Sequence, residues 1–200
     1  MLPPATDSSV VVPSLQHLPE VGATFSLTDE KGLATLEVFS RATLPTKFGT
    51  FAILVFHNNR DDKEHVALVR GDVRGVEHVP IRVHSECLTG DAFSSLRCDC
   101  REQLERAMEM LGRADQGLLL YMRQEGRGIG LGNKIRAYAL QEQGLDTVEA
   151  NEHLGFDDDQ RDYAIAALML KALGVKAVDL VTNNPKKILG LMRHGVEVKT

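Results

Sequence analysis

The 200-residue chain is 43% hydrophobic and 26% charged, with a formal net charge of −5. That suits one globular domain with a sizeable core, and it excludes a protein that coats nucleic acid, which needs a basic excess. No apolar run reaches the roughly 18–20 residues that span a bilayer. The start, "MLPPATDSSVVVPSLQHLPE", lacks the basic and long apolar segments of a secretory signal, so a reducing cytoplasm is the expected location.

Roughly the first 25 residues are rich in Pro, Ser and Thr and carry no sustained periodicity. They read as a loosely ordered extension with at most one short strand. From about Thr35 to His84 the signals are for strands: "TLEVFSRATL", "GTFAILVFH", "HVALVRGDV" and "PIRVHS", separated by turn formers. "REQLERAMEMLGR" then sets Leu104, Met108 and Leu111 at helical spacing. "GLLLYM" reads as a strand, and "NKIRAYALQEQG" as a helix closed by Gly144. "QRDYAIAALMLKALG" is an apolar helix, "AVDLVTN" a strand, "PKKILGLMRHG" a helix opened by Pro185, and "VEVK" the start of a last strand. The sum is an α/β (α+β) domain with a mixed sheet, its first half strand-rich and its second half alternating strand and helix.

All three cysteines fall within "CLTGDAFSSLRCDC", at Cys87, Cys98 and Cys100. An odd number cannot pair off as disulfides, and a reducing compartment disfavours them in any case. Thiolates bind zinc at about 2.3 Å, and structural sites take four protein ligands. Three leave a position for water, as a catalytic zinc requires. His84 is placed to be a fourth ligand that would close the site, and Glu86 to be a general base. "HSEC" also contains the H-x-E of zinc-dependent nucleobase deaminases, although the P-C-x-x-C that follows there is absent here.

"YMRQEGRGIGLGNKIRAYAL" runs from a strand through Gly126, Gly128, Gly130 and Gly132 into a helix. Glycines allow close backbone approach, and a helix start attracts an anion. The spacing matches neither the dinucleotide fingerprint nor the P-loop. Arg123 and Arg127 add positive charge. "VTNNPKKI" repeats the arrangement with Thr182, Lys186 and Lys187 at a second strand end, and two phosphate contacts suggest a nucleotide. "FDDDQRDY" puts Asp157 or Asp158 at the apolar helix's start as a cap. Arg161 falls in its first turn, where the helix dipole disfavours a cation unless an anionic ligand shares the site.

"RVHSECLTGDAFSSLRCDC", "RQEGRGIGLGNKIRAYALQEQGLDTVEAN", "LGFDDDQRDY" and "TNNPKK" together resemble the GTP cyclohydrolase II family of riboflavin synthesis. The resemblance runs from about Arg41 to Val198, leaving residues 1–40 as an N-terminal extension and 41–200 as the family domain. It implies an enzyme that opens the imidazole ring of GTP, releases C8 as formate and expels pyrophosphate, leaving a diaminopyrimidinone ribosyl phosphate. The implied zinc ligands are Cys87, Cys98 and Cys100. Implied GTP contacts are Arg82, Val83, His84, Ser85 and Glu86, then Gln103, Glu125, Gly126, Arg127, Thr147, Thr182 and Lys187. Asp159 matches the family's proton acceptor, Arg161 its assigned nucleophile, and Tyr138 a tyrosine near the purine. Arg161 must shed a proton towards Asp159 to attack phosphorus, because a guanidinium has no free lone pair. Otherwise it stabilises charge on the transferring group. Glu or Asp side chains are expected to read guanine's N1–H and amino donors. The triphosphate implies Mg²⁺, held largely by phosphates and water, and the family implies a homodimer. The other readings are a zinc deaminase, and a catalytically silent GTP-binding protein with a structural zinc.

Overall fold

The structure, a computed structural model, describes residues 14–157 and 159–199, so most of the expected extension's loose start and Asp158 lie outside the described residues. The strands are β1 (Thr24–Asp29), β2 (Gly32–Thr46), β3 (Gly49–Asn58), β4 (His65–Arg70), β5 (Val79–Ser85), β6 (Gly117–Met122), β7 (Ala177–Leu180) and β8 (Glu197–Lys199). The helices are α1 (Leu88–Asp91), α2 (Cys100–Arg113), α3 (Gly130–Gln141), α4 (Thr147–His153), α5 (Ala164–Ala172) and α6 (Pro185–Arg193). Together the strands make one mixed sheet in the order β1-β2-β3-β4-β6-β5-β7-β8. Its first half is an antiparallel meander ending at β4–β6, and β6, β5, β7 and β8 run parallel to one another. The division expected at residue 40 falls inside β2, which pairs with β1 on one side and β3 on the other.

Period-two alternation sorts side chains to the two faces of this sheet. On β6, Leu118, Leu120 and Met122 join the larger core with α5, whereas Leu119 joins the smaller core beneath Met108 and Leu111 of α2. A strand covered on both sides reads as an unbroken apolar run, which is what "GLLLYM" is. Helix α5 is buried along nearly its whole length, from Ala164 to Ala172.

Among the elements that differ from expectation, three bear on the site. Helix α3 opens at Gly130, three residues before the Asn133 expected. Helix α4 was not expected at all. Its N-terminus is a reciprocal cap, with Asp146 accepting from Val148 N and Glu149 N while Glu149 accepts from Asp146 N. Helix α5 starts at Ala164, four residues later than expected. Asp159 Oδ1 instead accepts from Arg161 N and Asp162 Oδ1 from Ala164 N, local bonds that compete with helical ones. Arg161 is therefore not in a helical turn, and the dipole argument for an anion there does not hold.

Candidate active site

Strand β5 lies between β6 and β7, so the chain leaves it in one direction and returns on its other side. In open sheets such a switch point opens a crevice at the strands' carboxyl ends. Ser85, Glu86 and Cys87 stand at the end of β5, Glu125 to Arg127 just past β6, and Thr182 just past β7. Three segments far apart in sequence are thus brought to one rim.

Cys87 follows β5, and Cys98 and Cys100 flank the start of α2. Their sulfurs lie within 4.8 Å of one another, with Cys87 Sγ and Cys98 Sγ 3.6 Å apart. Tetrahedral zinc–thiolate bonds of about 2.3 Å put two sulfurs roughly 3.8 Å apart, so the trio fits that ion. Gly90 makes room for it: a Cβ there would lie 2.8 Å from Cys98 Sγ and 3.2 Å from Cys87 Sγ. Burial and the two neighbouring thiols push the Cys100 thiol well above its usual range, the behaviour of sulfurs gathered around a place for a cation.

His84 does not close this group. Among the described residues the metal-competent cluster is the three cysteines alone. The imidazole, almost fully buried, lies 3.0 Å from Asp91 Oδ1 and stacks on Tyr121. Asp91 also accepts from Tyr121 Oη at 2.7 Å and Cys87 N at 3.1 Å. Burial would raise the Asp91 carboxyl, but the His84 and Tyr121 hydrogen bonds outweigh it and hold it below the usual range. This network braces the turn that carries the first thiol.

Lys134 was missed by sequence reasoning. Its Nζ is 3.0 Å from Cys87 Sγ and 2.8 Å from Glu125 Oε1. Glu125 Oε2 in turn accepts from Leu88 N at 2.6 Å. A lysine in the first turns of a helix gives no local sign of such a contact, which depends on α3 bringing its side chain to Cys87 and Glu125.

A cavity of about 370 Å³ opens over the sulfurs. Of the expected residues it is lined by Ser85, Glu86, the three cysteines, Glu125, Gly126, Arg127, Tyr138, Thr147 and Arg161. Clefts of about 530 and 560 Å³, along α2 and behind Arg161, have no cysteine among their lining residues. Arg127 holds a positive φ of 58°, rare for a side-chain-bearing residue, and its carbonyl accepts from Gln160 N at 3.0 Å. That bond ties the glycine-rich turn to the Asp159–Arg161 segment. Arg161 donates to Asp159 from Nε at 2.8 Å and again from Nη2, and from Nη1 to Ser85 Oγ at 3.4 Å. Burial opposes the Asp159 charge, but Arg161 holds the carboxyl below its usual range.

The remaining expected residues are not among those that line this cavity. Arg82 donates to Val181 O at 3.0 Å and Gln103 Oε1 at 2.5 Å, and Gln103 Nε2 donates to Asp99. Val83 is a core residue whose carbonyl accepts from Lys187 Nζ at 2.7 Å. Lys187 itself is only 6% exposed, not the solvated surface lysine its sequence context suggests. Burial, with the nearby Arg82 and Arg161 charges, pulls its pKa down to about 7. Thr182 Oγ1 accepts from Asn184 N in the turn that starts α6.

Fold and site together define an α/β protein with a thiol-lined cleft of nucleotide size, flanked by arginines and a suppressed lysine. Residues 37–200 match the GTP cyclohydrolase II family model. A riboflavin biosynthesis protein RibBA of Bacillus mycoides (strain KBAB4) is 60% identical over 166 residues, which is 83% of this chain and 41% of that protein. The protein of the same name from Bacillus cytotoxicus is 60% identical over 156 residues, 78% of this chain and 39% of its own. A crystal structure of a two-domain 3,4-dihydroxy-2-butanone 4-phosphate synthase from A. baumannii shares 19% identity at a TM-score of 0.43, over 82% of this chain and 40% of that one. The chain belongs to the GTP cyclohydrolase II family. It spans about two-fifths of the length of the RibBA relatives it matches.

Proposed function

We propose that this chain opens the imidazole ring of GTP, releasing formate and pyrophosphate and leaving a diaminopyrimidinone ribosyl phosphate. The observation that carries the reading is the meeting of three clustered thiols with Arg161 and Arg127 on one cavity, within a chain of this family. Cys87, Cys98 and Cys100 hold zinc. The ion, when bound, supplies a Lewis acid and lowers the pKa of water so that hydroxide is available near neutral pH.

The chain's own groups divide the remaining work. Ser85, Arg127 and Arg161 face the triphosphate, with Thr182 and Lys187 behind them, and Mg²⁺ accompanies the phosphates. Asp159 orients the Arg161 guanidinium through two hydrogen bonds, so the cation is fixed before charge develops on the transferring phosphoryl group. A guanidinium held this way by a low-pKa carboxylate keeps its proton, which favours stabilisation over nucleophilic attack. Lys134 and Glu125 support the thiol side, and Tyr138 offers a ring to the purine. The protein works in a reducing compartment, which keeps the thiols available, and as a homodimer.

Incubation with GTP and mass spectrometry of the products tests this directly. Formate, pyrophosphate and the pyrimidine are expected together, and Cys98→Ser is expected to lose formate release along with zinc. Ammonia with an intact ring would mean a deaminase. GTP binding without turnover by zinc-loaded protein would mean a silent nucleotide-binding protein.

A further inference from the structure

Glu125, Asp99 and Glu86 are the acids at the cavity, and each already has a partner. Glu125 holds Leu88 N, Gly126 N and Lys134; Asp99 holds Gln103; Glu86 faces Arg123 at 3.4 Å. Four cations line the cavity as well: Arg127 and Arg161, Lys134, which is held by Cys87 Sγ and Glu125, and Arg97, which is held by Glu142. The wall built by α3 and α4 has a different character. There the Arg97 guanidinium lies 4.7 Å from the Tyr138 ring centroid, Gln141 Nε2 donates to Thr147 Oγ1 at 3.1 Å, and Asn151 completes the surface. An anionic triphosphate belongs against Arg161 and Arg127, which leaves the α3–α4 wall, where a planar guanidinium already lies over a ring, for the base.

Asn151 stands out on that wall. It is 5% exposed, yet among the described residues its carboxamide has no hydrogen-bond partner. Its backbone carbonyl accepts from Leu154 N at 3.1 Å and Phe156 N at 3.0 Å. A buried amide left open towards a cavity is a recognition group awaiting its complement, because native structures pair buried polar groups.

Resting on the GTP reading above, we propose that Asn151 is a specificity-determining residue whose carboxamide hydrogen-bonds the O6 and N1–H edge of the purine. A carboxamide sets one acceptor beside one donor. Guanine's O6 and N1–H are one acceptor beside one donor in the complementary order. The pair N1–H and N2–H₂ is two donors, which calls for a carboxylate. Hypoxanthine carries the same O6 and N1–H but lacks N2, so inosine triphosphate retains the contact.

The test uses zinc-loaded full chain with Asn151→Leu, close in volume but without the amide, and Asn151→Asp, which sets two acceptors against O6. Turnover and binding are measured with GTP and inosine triphosphate, and binding with inorganic tripolyphosphate, which has no base. Both variants are expected to lose roughly 10- to 100-fold in kcat/KM and affinity for the two nucleotides alike. Tripolyphosphate binding and zinc content are expected to stay at the parent level. Affinity for GTP within about twofold of the parent overturns the proposal. So does a loss confined to GTP, which would place the amide at N2, and so does a parallel loss of tripolyphosphate, which a merely structural role produces. A parent protein that binds GTP without opening it sinks the proposed function, while the binding comparison still decides on Asn151.

Discussion

Lys187 offers the sharpest test of how the site is built. Its pKa lies at about 7 against an ordinary 10.5, with burial the main cause and the Arg82 and Arg161 charges adding to it; Asp159 and Cys100 pull the other way. Between those two pH values the unfolded chain holds the extra proton, so stability from this group rises with pH across the window and is lowest at and below pH 7. At about 1.4 kcal/mol per pH unit, the group costs the fold roughly 4–5 kcal/mol at pH 7 and roughly 2 kcal/mol at pH 9. Lys187→Met removes that cost but leaves Val83 O without its donor, a loss of roughly 1–3 kcal/mol. The variant is expected to be more stable than the parent at pH 7 and near parity at pH 9. Whatever the lost hydrogen bond is worth, the gap narrows by about 2 kcal/mol, or roughly 5–9 °C in Tm for a chain of this size. Thermal denaturation at both pH values, in excess zinc so that the thiols do not titrate, measures it. The same variant is expected to bind GTP more weakly, because a suppressed cation regains its proton beside a phosphate. A Tm gap that stays constant from pH 7 to 9 would refute the assignment of a suppressed, buried ammonium.

Gly90→Ala leaves every ligand in place but sets a methyl 2.8 Å from Cys98 Sγ. Zinc affinity by chelator competition is expected to fall about tenfold or more with the fold retained, since roughly 1.4 kcal/mol of misfit suffices. Gly112→Ala acts far from the site: its Cβ would lie 1.9 Å from Phe48 O, so α2 must shift off the β2–β3 turn. A loss of roughly 1–3 kcal/mol is expected by urea denaturation, with zinc content unchanged in protein that folds.

Much of this protein was legible in its sequence because the relevant signals are local. The spacing of Cys87, Cys98 and Cys100 marked a cluster that could hold a metal, the alternating runs named strands, and the glycine-rich turn after "GLLLYM" named a place for close approach. Helix α4 was legible too, in the "DTVE" capping box, although the strand and helix periodicities passed over it. Nothing local, however, says that β5 lies between β6 and β7, and this pairing brings the three strand ends to one rim. Whether a polar side chain meets water, a partner or an empty cavity is likewise set by what packs against it. So tertiary structure alone turned His84 from the sulfurs to Asp91, buried Lys187, set Lys134 against Cys87 and left the Asn151 amide open. The chain encodes its elements and its reactive atoms over short distances, whereas their environments, and hence their chemistry, are made by contacts between residues far apart along it.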